Sequence, residues 1–275
     1  MVAMAPSKMN QSIKAWLPPA IVSLFRRRGD SSIFEGDYAS WQEALAHSTG
    51  YDADEIFRNV REAALKVKQG DAVFERDGVC FFHEEYNWEV LACLLLSAAE
   101  REGVLNVLDF GGALGNFYFQ HRKFFSGLKE QRWGIVEQKH FVECGRSEFE
   151  NEKLRFYFSA NECFEKMPVN LILLSSVLPY LEHPYDVLTD LGQRKADYIV
   201  IDRTPFIDQK EDRLMIQHVP KRIFPASLQM WVFSEQKFES AMNRLGYSQT
   251  ARFPCAEGNV GEIGFNGFIY RREEP

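Results

Sequence analysis

The 275-residue sequence predicts an α/β fold, a doubly wound parallel sheet with an N-terminal helical extension. Two observations predict it. From Val104 onward, short and nearly continuous apolar runs ("VLNVLDF", "RWGIVE", "LRFYF", "VNLILLSS", "DYIVIDR") alternate with stretches of helical spacing. Runs without polar alternation are strands covered on both faces, which calls for parallel strands joined by right-handed helical crossovers. The first run also ends in an acid and three glycines, "LDFGGALGN", at the strand end where an open α/β sheet holds its ligand.

Composition sets the outer bounds. With 45% hydrophobic and 26% charged residues the chain is an ordinary soluble globular protein, long enough for one or two domains. A net charge of −7 argues against broad phosphate neutralisation, so nucleic acid is not an expected partner. The five cysteines are odd in number, scattered and without a CxxC pair, as in reduced thiols of a cytoplasmic protein. No histidine pair has the i, i+4 spacing of a zinc helix, and no metal is expected.

Three regions follow along the chain: residues 1–33, 34–103 and 104–275. In the first, "IKAWLPPAIVSLFRRR" (13–28) is interrupted by Pro18 and Pro19 and falls short of the roughly 20 apolar residues a membrane span needs. Its arginines follow the apolar part, unlike a secretory signal. Weak peripheral contact with the anionic inner membrane face and docking on the protein body both stay open. In the second region, Ser40 with Glu43 forms a capping-box signature, and Ile56, Val60, Ala63, Ala64 and Val67 share one helical face that Gly70 ends. Asn87 caps a further helix that stops at Gly103. This part is read as a helical N-terminal region or lid.

The third region begins with the strand Val104–Phe110, after which Gly111, Gly112 and Gly115 turn the chain into a helix. Glycines there permit positive φ and let a ligand approach the backbone, and the helix start offers unpaired N–H groups. The dinucleotide fingerprint GxGxxG fails in either register, since Ala113 and Asn116, or Leu114, stand where glycines belong. An acid two residues before the first glycine suits a cationic ligand instead, with Asp109 facing an ammonium group or its bound water. Glu137, with Gln138 beside it, ends the second strand 22 residues after Gly115, where a carboxylate accepts both hydroxyls of a ribose. The fifth strand delivers Asp202 and Arg203 to the same edge, either as groups for a substrate hydroxyl or carboxylate or as a pair within the loop. His218, in the connection that follows, has the intrinsic pKa of a base near neutrality and is the preferred proton acceptor, the alternative being a structural histidine bonded to backbone. Ser234 and Gly246 bound the last helix, which precedes an antiparallel strand pair; Trp231 and Phe233 line an acceptor pocket or pack in the core.

"DFGGALG" resembles the first motif of S-adenosylmethionine-dependent methyltransferases, with Ala113 in place of the middle glycine. Over the whole chain, "FEGDYASWQEAL", "LNVLDFGGALGNFYFQHRKF", "VEQKHFVECG", "LLSSVLPYLEHPY", "YIVIDRTPF" and "WVFSEQKF" resemble a bacterial methyltransferase family associated with surface-polysaccharide biosynthesis. The resemblance runs from about Phe34 to the end. It implies a class I, Rossmann-like methyltransferase fold and S-adenosylmethionine as cofactor. Asp109, Gly111, Gly112, Gly115, Glu137 and Gln138 are then cofactor residues. It also implies an adenine contact among Ser159, Ala160 and Asn161, and a loop carrying Ser175, Ser176 and Tyr180 that meets cofactor and acceptor. The expected reaction is methylation of a hydroxyl, or secondarily an amine, on a sugar or glycan intermediate, with His218, Asp202 and Tyr180 as the catalytic set. The alternative is a non-catalytic nucleoside-binding sensor or assembly protein on the same fold.

Overall fold

The computed structural model describes residues 33–49, 53–218 and 227–273. The stretch 13–28, read as a candidate membrane contact, lies outside them. Among the described residues no helix is long and apolar enough to cross a membrane.

The chain opens with β1 (Phe34–Glu35), α1 (Trp41–His47) and α2 (Ala53–Gln69), then β2 (Phe74–Arg76), β3 (Val79–Phe81) and α3 (Trp88–Glu100). Local chemistry sets these boundaries. Ser40 Oγ accepts the Glu43 N–H at 3.2 Å, and Asn87 Oδ1 accepts the Val90 N–H at 3.1 Å, each filling a vacancy at a helix start. The segment read as wholly helical also contains a hairpin. Asp77 and Gly78 take φ of 53° and 79°, the two left-handed positions of a type I′ turn, and Phe74 stacks on Phe81 with ring centres 4.5 Å apart.

Five parallel strands follow: β4 (Val104–Phe110), β5 (Glu130–Val136), β6 (Leu154–Tyr157), β7 (Leu171–Ser175) and β8 (Tyr198–Ile207). Between and after them lie α4 (Asn116–His121), α5 (Lys139–Cys144), α6 (Ala160–Lys166) and α7 (Pro184–Gln193). The chain ends with β9 (Arg213–His218), β10 (Ser227–Ser234), α8 (Glu235–Arg244), β11 (Tyr247–Val260) and β12 (Ile263–Arg272). In space the order is β6-β5-β4-β7-β8-β12-β11, with β12 alone running against its neighbours. This is a doubly wound, Rossmann-like sheet, with the strand order reversing on either side of β4.

Strand alternation builds two cores. Val107, Trp133, Ile135, Leu171, Leu173 and Val200 face α3, α4 and α5, whereas Leu108, Ile172, Leu174, Ile199 and Ile201 face α6, α7 and α8. Both faces are dry, which is why the strands carry no polar alternation.

The sheet then changes partners. β8 pairs with β7 only as far as Asp202, and at Phe206 and Ile207 it pairs with Phe233 and Ser234 of β10. Because β12 already holds the other edge of β8, β10 takes the edge that β7 leaves. β9 and β1 extend this second part antiparallel, over a small core of Phe34, Met215, Met230 and Phe265. The carboxyl ends of β4 and β7 therefore open beside a wall made by β9 and β10, and the N-terminal β1 is part of that wall.

Candidate functional site

The glycine turn between β4 and α4 is built from within. Gly111 and Gly115 have φ of +76° and +91°, which only glycine adopts freely. A Cβ on Gly111 would lie 2.5 Å from Val177, and one on Gly112 would lie 2.5 Å from the Asp109 carboxylate carbon. Internal packing thus demands both glycines. Asp109 is 2% exposed beneath Gly112 and accepts a hydrogen bond from Trp133 Nε1 at 3.0 Å; burial pushes its pKa up to about 7. The expectation that Asp109 faces a ligand ammonium is corrected accordingly, since its carboxylate supports the turn from below. Ala113 takes a φ of 48°, so the position lacking a glycine is nevertheless left-handed.

Glu137, half-buried after β5, meets this turn. Its Oε1 accepts the Ala113 N–H at 3.3 Å and its Oε2 accepts the Gln138 N–H at 2.7 Å; burial raises its pKa. The Gln138 side chain is exposed. Ser159 caps α6, with Oγ accepting the Glu162 N–H at 3.2 Å. Its hydroxyl therefore serves the helix, beside the buried Ala160.

The ends of β7 and β8 are tied together. Ser175 Oγ donates to Asp202 Oδ2 at 2.8 Å, and Ser176, with φ of 55°, donates its N–H to the Asp202 carbonyl at 3.0 Å. Asp202 is 1% exposed and also accepts from Asn87 Nδ2 at 3.0 Å and from Cys255 Sγ at 3.5 Å; burial raises its pKa. The Asn87 N–H donates to His121 Nε2 at 3.2 Å, leaving His121 Nδ1–H to donate to the Phe117 carbonyl at 2.9 Å. Burial lowers His121 to about 4, so it is neutral. This corrects the expectation for Asp202: its oxygens fasten α3 to the strand ends and do not face a substrate.

Tyr180, in the turn after β7, donates to Gln217 Oε1 at 2.8 Å. His218 is the next residue of β9, and strand alternation sends it to the other face. There its Nε2 lies 2.7 Å from Glu35 Oε2. The expected base is thus turned away from the Tyr180 contact, a placement that period-2 geometry imposes.

A polar cluster not foreseen in the sequence lies where the β2–β3 hairpin meets the end of β8. Arg203, with φ of 51°, donates through Nε to Glu257 Oε1 at 2.6 Å and through Nη2 to Asp77 Oδ2 at 3.0 Å. Burial opposes its charge, but Asp77, Glu257 and Asp202 outweigh that and hold the guanidinium above its ordinary range. Glu75, 3% exposed, accepts the Gly78 N–H through Oε2 at 3.0 Å. Burial pushes Glu75 up to about 7, against the smaller opposing effects of the Gly78 N–H, of Arg203 and of a side-chain hydrogen bond from Asn116 at the start of α4. Asp77-Gly78 was the available sequence signal for this hairpin; nothing local marks Glu257. Separately, a cleft of about 310 Å³ beyond the 178–180 turn is lined by Tyr185, Asp212, Trp231 and Lys237, while Phe233 is wholly in the core.

No protein-family model matches the sequence, and no curated protein matches it. Solved structures are similar in overall path. The N-terminal domain of EvdMO1, solved in the presence of SAH and D-fucose, is 13% identical with a TM-score of 0.49, covering 82% of this chain and 98% of that one. CalS10, an amino pentose methyltransferase from Micromonospora echinaspora solved with SAM, is 12% identical with a TM-score of 0.46, covering 78% and 97%. The magnesium protoporphyrin IX methyltransferase of Synechocystis PCC 6803, with bound SAM, is 10% identical with a TM-score of 0.45, covering 82% and 99%. At such identities residue roles do not carry across.

Proposed function

We propose that the chain is an S-adenosylmethionine-dependent methyltransferase whose acceptor is a hydroxyl or amine of a sugar or glycan intermediate. The observation that carries this is the meeting of the glycine turn and Glu137 at the carboxyl ends of β4 and β5, where the strand order reverses. The residues fit the cofactor there. Glu137 keeps lone pairs beyond its two N–H partners for a ribose diol, and Gly115 starts α4 without a side-chain cap of its own, the Phe117 N–H being taken by Asn116 Oδ1 at 2.7 Å. Ala160 is small and buried beside the strand end that would meet adenine, and Asp109 keeps the turn in shape.

When bound, the cofactor supplies an electrophilic methyl group on a sulfonium. The chain's task is alignment and, for an acceptor that carries a proton on its nucleophile, removal of that proton. The β2–β3 hairpin, fixed by Asp77 to Arg203, covers the strand ends, and Asn87 anchors α3 to Asp202. The test is formation of S-adenosylhomocysteine from S-adenosylmethionine in the presence of a panel of amino and neutral sugars and nucleotide sugars.

A second reading, a nucleoside-binding protein without chemistry, is favoured by the packing of Gly111 on Val177, which closes the turn against the neighbouring loop. Saturable cofactor binding with no product from any acceptor would support it over transfer.

A further inference from the structure

We infer that the cleft between the turn after β7 and the start of α8 is a carbohydrate subsite, which takes a neutral sugar ring and continues along α7 to a second one. The inference needs the cavity and its chemistry, and no part of the methyltransferase reading. The cleft has a volume of about 310 Å³, at the lower end of the roughly 300–1,000 Å³ of small-molecule sites. It opens to solvent, since the side chains of Glu182, Lys237 and His183 on its walls are 41%, 43% and 71% exposed. Its aromatic walls are braced. The half-buried Trp231 ring, on β10, stands beside Trp41 of α1 with ring centres 6.4 Å apart and planes 23° from parallel. Tyr185, on α7, meets the buried Phe233 edge-on at 5.9 Å and donates its hydroxyl to Asp212 Oδ1 at 3.1 Å. Aromatic surface held in this way takes the C–H face of a sugar ring without first having to be ordered.

Charge selects a neutral ligand. The Asp212 side chain is 5% exposed and fully engaged: besides the Tyr185 hydroxyl, its Oδ1 accepts the Ser234 N–H at 2.8 Å, and its Oδ2 faces Lys237 Nζ at 2.9 Å. Lys237 Nζ also reaches Glu211 at 3.3 Å and lies 5.7 Å from the centre of the Tyr185 ring, so a cation already stands in the cleft and repels a second. Glu182 and Asp186 line the same cleft and repel an anion. What remains is hydrogen bonding suited to hydroxyls. An ammonium has three N–H donors, and Lys237 has two carboxylate partners, which leaves one donor. Glu182 accepts from Gln42 Nε2 through Oε1 and keeps Oε2 as an acceptor. A second cleft of the same volume shares Tyr185 and Lys237 with the first and runs past Thr189 and Arg244 between α7 and α8. Two clefts that meet at shared residues form one groove, which suits a chain of sugars better than a single ring.

The test is saturation-transfer NMR on the full chain at pH 7, with S-adenosylhomocysteine titrated separately. The probes are glucose, galactose and mannose, the disaccharides cellobiose, lactose and maltose, and the charged counterparts glucosamine and glucuronic acid. At least one neutral disaccharide should bind saturably, about threefold or more tightly than its constituent hexoses and than either charged sugar. Trp231→Ala should weaken that binding by about tenfold or more, and Glu182→Ala, at an exposed position, by about threefold. S-adenosylhomocysteine affinity should stay within about twofold in both variants, because no residue of the cleft belongs to the glycine turn or its Glu137 partner. Saturation by no neutral sugar, no gain from a second ring, tighter binding of glucosamine or glucuronic acid, or unaltered binding in either variant would overturn the inference. Glu182→Ala keeps the test decisive even if Trp231→Ala does not fold. Failure of the methyltransferase reading would show instead in the S-adenosylhomocysteine titration of the wild type.

Discussion

Single residues here carry two kinds of chemistry, and substitutions separate them. Asp109 resembles a ligand contact in sequence, yet in the fold its partner is Trp133 Nε1. Asp109→Ala should therefore leave a buried indole N–H unpaired and cost about 1–3 kcal/mol in denaturant unfolding. Asp109→Asn, which keeps a carbonyl acceptor, should retain most of that stability and bind cofactor nearly as wild type. A direct ligand role would instead weaken binding in Asn and Ala alike. Glu75 makes a pH prediction. Its pKa in the fold, about 7, lies above the ordinary carboxylate value, so the folded state holds the proton more tightly than the unfolded state. Its stabilising contribution is complete below the unfolded pKa and is lost as pH rises through about 7. Glu75→Gln, a mimic of the protonated form, should gain stability relative to wild type between pH 5 and pH 8. A constant difference across that range would refute the shift.

At the level of elements, legibility followed the reach of the signal. Caps are local, and Ser40, Asn87 and Ser234 each accept the N–H three residues on, as their helix starts require. The parallel strands were legible because burial on both faces leaves its mark in every residue of a run such as Leu171–Leu174. The β2–β3 hairpin was obscured by its brevity, with only Asp77-Gly78 announcing it. β9 was read as a connection and β10 was not read as a strand, because their pairing depends on where β8 parts from β7, a long-range event that no local pattern encodes. The same distance effect hid the roles of Asp202 and His218: sequence places both near the strand ends, but alternation and partners far along the chain decide which way each side chain faces. Asn87 joins the two levels, as a cap for α3 and as a donor to Asp202. Asn87→Ala should cost about 1–2 kcal/mol from the cap alone. It should also raise amide hydrogen exchange along α3 ahead of global unfolding. Unchanged exchange in α3 would mean that packing of Val90, Leu91 and Leu94 holds the helix without the tie.

In the whole molecule, the strand order, the turn after β4 and the carboxylate after β5 form one arrangement, with the hairpin and α3 closing over the strand ends. The switch of β8 from β7 to β10 adds a wall that a plain doubly wound sheet lacks, and the N-terminal β1 belongs to it. The decisive measurement is calorimetric titration of the purified chain with S-adenosylmethionine and S-adenosylhomocysteine, repeated on Glu137→Ala. Both nucleosides should bind saturably. Loss of charge-assisted hydrogen bonds to the ribose should weaken each by about tenfold or more, while the variant, which also frees the Ala113 and Gln138 N–H groups, still unfolds in one cooperative transition. Absence of binding by either nucleoside, or equal affinity in Glu137→Ala, would contradict a cofactor site at the glycine turn.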